Sequence, residues 1–170
     1  MAKIGRKGRL WLRAFHIFFM ALWIGAVVTQ FVIISFTGHA QSTGGLQAMY
    51  KVPDILNVVT APSAFGTLVT GVLLSWLTPW GFFKHKWVIY AMAMLVIDLL
   101  IVFILSDPLI SKLSALVGAE GLGALQNPEY ISTWSRFIIV DTVCAIILIS
   151  AAFVSVIKPW RKHTGAEAAT

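Results

Sequence analysis

The chain has 170 residues, of which 58% are hydrophobic and 12% charged, and its mean hydropathy is +0.85. A soluble domain carries about twice that share of charge and has no way to hide this much apolar surface, so the solvent implied is a lipid bilayer. The net charge of +6 sits in short clusters beside apolar runs, which is the pattern of membrane topology and excludes nucleic acid as the partner.

At the N-terminus, Lys3, Arg6, Lys7 and Arg9 precede an apolar stretch, as in a signal peptide. The stretch runs over about 10–36, well beyond the roughly 7–15 residues of a secretory apolar region. Gly38-His39-Ala40 is a weak match to a cleavage site, so the expectation is a retained first span behind a basic segment, 1–9. On that span His16, Met20, Trp23, Val27 and Gln30 follow at intervals of four, three, four and three, forming one stripe. Gly38, Ser42, Thr43, Gly44 and Gly45 predict an irregular connection after it.

The second span covers about 55–78. Asn57, Thr60, Ser63, Thr67 and Thr70 recur on it at three- and four-residue intervals, and Gly66 and Gly71 offer close approach to a neighbour. Pro62 removes a backbone donor and frees the carbonyl four residues earlier, which predicts a bend, with Thr60, Ser63 and Thr67 at hand to satisfy it. The third span covers about 87–106 and carries Tyr90, Met94 and Asp98 at intervals of four. Asp107-Pro108 and Asn127-Pro128 each read as an N-cap followed by Pro at the first helical position. The connection 107–136 is therefore expected to hold a short amphipathic helix around Leu109, Leu113, Leu116 and Val117. The fourth span, about 137–157, should begin outside the membrane near Pro128, and it carries Asp141. Residues 161–170 read as a small, polar, disordered tail.

Lys and Arg orient the spans. Ten of the thirteen (Lys3, Arg6, Lys7, Arg9, Arg13, Lys84, Lys86, Lys158, Arg161 and Lys162) fall on one side, against Lys51, Lys112 and Arg136 on the other. The positive-inside rule puts both termini in the cytoplasm. Trp11, Trp76, Trp80, Trp87 and Trp160 would form the inner aromatic belt, with Tyr50, Tyr130 and Trp134 on the outer side. The fold expected is all-α: a four-helix transmembrane bundle over 10–160, both termini cytoplasmic, with a short amphipathic helix in the second outer loop.

Polar residues within the spans are the places where chemistry can reside. His16, with Met20, Trp23 and Met94 around it, reads as a cofactor site, holding haem b or a metal, or as a proton-transfer group. The alternative is a neutral histidine bonded across to another helix. Asp98 and Asp141 differ in depth by only about 5 Å at a rise of roughly 1.5 Å per residue, so they can meet, and at least one of the two should then be protonated. The alternative has Asp141 satisfied by Arg136 one turn away. Gln30, Asn57, Thr60, Ser63, Thr67 and Tyr90 complete an inward-facing polar seam that is either a cavity wall or helix packing. The sole cysteine, Cys144, lies in an apolar run. No metal-ligand spacing, phosphate loop or nucleophile elbow occurs.

Phe15-His16-Ile17 with Leu22-Trp23-Ile24-Gly25, then Val59-Thr60-Ala61-Pro62 with Thr67, Thr70 and Gly71, and finally Ile157-Lys158-Pro159, resemble bacterial four-helix membrane proteins catalogued as domain of unknown function 2269. The first span is also similar, more loosely, to membrane domains of the copper-resistance D type. The resemblance covers about residues 8–160 and implies a bacterial inner membrane protein. The wider relatives imply haem or copper at His16, although the chain lacks the paired histidines of di-haem cytochromes, so a second ligand would come from Met92 or Met94. Three functions follow: a cofactor-binding redox protein, a non-catalytic partner of another membrane protein, or a small proton-coupled permease that uses Asp98 and Asp141 as a homo-oligomer.

Overall fold

A computed structural model describes residues 4–160, and every regular element among them is helical. Lys3, Arg161, Lys162, His163 and the 161–170 tail lie outside the described residues. Four stretches are long and apolar enough to cross a membrane: Arg6–His39, Thr43–Leu77, Lys86–Gln126 and Pro128–Ile157. They are built from α1 (Arg6–Ser35), α2 (Thr43–Leu77), α3 (Lys86–Ile101), α4 (Asp107–Glu120) and α5 (Pro128–Ile157), with 3-10 turns at Thr37–His39 and Gly121–Gln126.

Two of these elements differ from the expectation, each for a local reason. α2 begins about three turns before residue 55, because Ser42 is extended and its hydroxyl accepts the Gly45 N–H at 3.1 Å. That cap draws Gly44 and Gly45 into the first helical turn, and Pro53 as well as Pro62 then lies inside the helix. The neighbouring hydroxyls do not turn to the carbonyl that Pro62 frees. Thr60 donates to Leu56 O at 3.0 Å and Thr67 to Ser63 O at 2.8 Å. Asp107 is no cap either. Its backbone is helical, and α3 runs into α4 through a π-helical turn at Val102–Ser106. The proline ring at position 108 meets the carbonyl of residue 104 in an ordinary helix, and a π turn widens the chain where that conflict falls. The amphipathic helix expected around Leu113 is present, but as a continuation of α3. At the second Asx-Pro the expectation holds: Asn127 Oδ1 accepts the Glu129 N–H at 2.8 Å, and α5 starts at Pro128.

α1 packs along α2, α3 along α5, and α1 joins the two pairs through α5. The start of α1, the end of α2, the start of α3 and the end of α5 share one end of the bundle, where Arg13, Trp80, Trp87 and Val156 surround one cavity. This is the basic end. α2, with 35 residues, is about 52 Å long at a rise of about 1.5 Å per residue, against about 30 Å of hydrocarbon in a bilayer, so its ends project.

At the far end the projecting turns make a core of soluble type. Ile34, Leu46, Tyr50, Leu113, Val117, Ala124, Tyr130 and Phe137 are buried there together. Along the rest of the bundle many large side chains face outward, among them Phe65, Phe103, Ile146 and Phe153. A surface of that kind is solvated by lipid. Burial of Tyr50 and Tyr130 in the core, and of Trp87 at the basic end, removes them from the aromatic belts expected of them; Trp11, Trp76 and Trp160 stay exposed.

Candidate functional site

Three polar layers follow one another along the inside of the bundle. The first is a cavity of about 130 Å³ at the basic end, lined by residues of α1, α2, α3 and α5. His16, Met20, Trp23 and Thr67 line it as the stripes imply, and Met92 lines it in place of Met94. The His16 ring sits against α2 because α2 has no side chain at residue 71: a Cβ there would stand 3.3 Å from His16 Cε1. Gly66 works the same way one turn further on, where a Cβ would meet the Phe19 ring at 2.6 Å. Both glycines are therefore close-approach positions, as their spacing predicts.

His16 Nδ1 is 2.9 Å from Thr70 Oγ1, and Thr70 Oγ1 is 2.6 Å from Gly66 O. A carbonyl only accepts, so the Thr70 hydroxyl proton goes to Gly66. Thr70 Oγ1 then accepts from His16, which places the imidazole proton on Nδ1 and leaves the lone pair on Nε2.

The second layer is the acid pair. Asp98 on α3 and Asp141 on α5 are buried in the seam between these helices, within electrostatic reach of each other, with the Cys144 thiol beside them. No nitrogen or oxygen of the described residues bonds to either carboxyl oxygen of Asp98 or to Oδ2 of Asp141, and the one donor beside Asp98 is the weak donor Cys144 Sγ. Arg136 is exposed and does not pair with Asp141, contrary to the structural alternative. Among the described residues the ion pair is Lys112 to Glu129 at 2.6 Å, on the surface.

The third layer is a hydroxyl chain at the far end. Thr37 Oγ1 donates to Ile34 O at 2.8 Å, so it accepts from Tyr130 OH at 3.2 Å, which in turn accepts from Tyr50 OH at 2.8 Å. Trp134 Nε1 donates to the same Ile34 O at 3.1 Å. Phe137, fully buried, lies between this chain and Asp141 along α5. Tyr130→Phe leaves the Tyr50 hydroxyl buried without its acceptor, at a cost of about 1–2 kcal/mol. The check is a lowered thermal midpoint in detergent that Tyr50→Phe, added to the same chain, partly restores.

The remaining seam residues divide. Ser63 and Thr67 are buried, and Gln30 and Thr60 are half-buried. Tyr90 turns away from the cavity, with its hydroxyl 3.0 Å from Ser150 Oγ on α5 and its ring against Trp160. Asn57 is exposed, a correction to its place in an inward seam. Two successive three-residue steps from Asn57 to Ser63 fall short of whole turns and drift by about 120° around the helix, which carries Asn57 out of the bundle. Sequence reasoning missed the pairing of Tyr90 with Ser150 and the hydroxyl chain. For the second there was a signal: Tyr130, Thr133, Phe137, Asp141, Cys144 and Leu148 follow at intervals of three and four along α5, and all are buried.

A haem b does not fit this geometry. The cavity of about 130 Å³ is well below the roughly 300–1,000 Å³ of pockets that hold larger organic ligands, although Met92, one of the two methionines expected as a second ligand, is on its wall. Among the described residues no group of three or more His, Cys, Asp or Glu comes together to hold a metal ion. No protein-family model, curated protein or solved structure matches the chain.

Proposed function

We propose that the chain is a small proton-coupled permease of a bacterial cytoplasmic membrane, with both termini on the cytoplasmic side and with Asp98 and Asp141 as the proton-carrying groups. The observation that carries this reading is the acid pair: two buried carboxyl groups from different helices, three of whose oxygens find no nitrogen or oxygen partner among the described residues and whose one neighbouring donor is the weakly donating Cys144 thiol. Such groups are costly in a bilayer, and packing alone gives no reason to keep them.

The layers around the pair support the same reading. The cavity reaches Leu95 on α3, about one turn from Asp98, and Leu148 on α5, about two turns from Asp141, so the pair is approached from the basic end on the Asp98 side. The far end is closed by the Phe137 core. A site reached from one end and sealed at the other is half of an alternating-access cycle. The excess of Lys and Arg at the cavity's end assigns that end to the cytoplasm. The likeness of the segments around His16 and Pro62 to a bacterial four-helix family supports the membrane assigned.

Four helices are few for a permease, and we infer that the working unit is a homo-oligomer. Asn57, exposed between Ile55 and Val58, offers a polar contact on an otherwise apolar face. Asn57→Cys should then form a disulfide-linked dimer on mild oxidation in liposomes; the native Cys144 is buried and does not compete. Monomer alone would count against that face. Function itself is tested by the decay of an imposed pH gradient across proteoliposomes. Wild-type protein should speed it and Asp141→Asn should slow it by at least about tenfold, the effect of about 1.4 kcal/mol on a barrier. A rate unchanged by Asp141→Asn would overturn the reading.

A further inference from the structure

The His16 cavity has the features of a ligand site, and they restrict the ligand. Its volume, about 130 Å³, is close to the roughly 150 Å³ of an engineered apolar cavity that holds one benzene ring. Its walls are mostly apolar, with Met20, Trp23, Leu74 and Met92 among them. A single aromatic ring fills such a space; a second does not.

Polar groups at the wall then set what the ring carries. The hydrogen-bond relay from His16 through Thr70 to Gly66 O fixes the imidazole with its proton on Nδ1. That Nδ1–Cε1 edge is turned to α2, at Thr70 and Gly71, where the Thr67 backbone also bonds the ring, and with the proton on Nδ1 the ring's acceptor is Nε2, on a residue that lines the cavity. A ligand therefore meets an acceptor and must bring a donor. The mouth is positive. Arg13 lines it one turn from His16, and Lys158 Nζ lies 4.4 Å from the ring centre of Trp80 and 5.1 Å from that of Trp87, both wall residues. Cationic donors are repelled there, while a neutral or weakly acidic donor is not.

We propose that the His16 cavity binds a small weak acid the size of one aromatic ring, of the phenol class, with its hydroxyl donating to His16 Nε2. As the substrate class of the permease this rests on the reading above; as a binding site it stands separately. No covalent step is involved. A weak acid that arrives protonated brings the proton that the acid pair deeper in the bundle would carry.

The probes are phenol, benzene and benzylamine, titrated calorimetrically against the full chain in lipid nanodiscs, with empty nanodiscs as reference. Phenol should bind about tenfold more tightly than benzene, the worth of one buried neutral hydrogen bond, and benzylamine should not bind. His16→Phe keeps a ring and removes the acceptor, so it should bring phenol down to the level of benzene. Thr70→Val keeps His16 and removes the group that fixes its tautomer, so it should reduce the phenol advantage in a chain whose cavity is otherwise intact. Equal binding of phenol and benzene to the wild type, no binding of either, or a phenol advantage that survives both substitutions would overturn the proposal. Phenol binding lost while proton flux persists removes this inference alone, and flux lost while phenol binds removes the permease alone.

Discussion

Asp98→Ala is expected to raise the thermal stability of the bundle while stopping proton flux. Asp98 is fully buried, and among the described residues its carboxyl oxygens find no nitrogen or oxygen partner, only the weak thiol donor of Cys144. Its truncation removes two poorly satisfied polar atoms, which relieves about 1–3 kcal/mol, set against a small void where the carboxyl stood. Alanine is chosen over leucine because added volume in a packed seam brings strain of similar size. If the acid instead holds the helices together, truncation loses a hydrogen bond between membrane helices, on average about 0.6 kcal/mol, and stability falls. The sign of the change thus separates a functional acid from a packing one. Thermal unfolding in detergent reads it, with Asp98→Asn as an isosteric control that should fold like the wild type.

The second large effect is expected far from the acids. Gly121 joins α4 to the 3-10 turn with φ +59° and ψ −134°, a conformation that residues with a Cβ avoid. A Cβ there would also stand 2.8 Å from Thr43 Cγ2 and 2.9 Å from Thr43 Oγ1, at the start of α2. Gly121→Ala should therefore cost about 1–3 kcal/mol in backbone strain, with the steric conflict added. Adding Thr43→Ala should recover the steric part and leave the backbone part. A double variant as stable as the wild type would show that the backbone at residue 121 bears no strain. Neither change touches the cavity, so proton flux per folded molecule should be unaltered.

The helices and their number were legible because twenty or so apolar residues in a row have few other uses. Their ends were less so. The early start of α2 hides behind Gly44, Gly45 and Pro53, each unfavourable to a helix, and it is the cap at Ser42 that decides the matter. Asp107-Pro108 looked like a start because Pro ordinarily interrupts a helix, and the π turn before it is a remedy that no residue type announces. Within the site, depth counting brought Asp98 and Asp141 together, since rise per residue is nearly constant. Faces are harder than depths. Met94 lies about 200° around α3 from Met92, so a misjudgement of two residues moves a side chain across the helix. Arg136 was near Asp141 in sequence, yet an arginine near the end of a span gains more from water than from a buried acid.

The most direct test of the central claim is the decay of a pH gradient imposed across liposomes that contain either wild-type protein or Asp98→Asn at equal density. The wild type should collapse the gradient faster than protein-free liposomes, and Asp98→Asn should return the decay to the protein-free rate. Equal decay with the two proteins, or no acceleration by the wild type, would contradict the assignment of Asp98 and Asp141 as the groups that carry the proton.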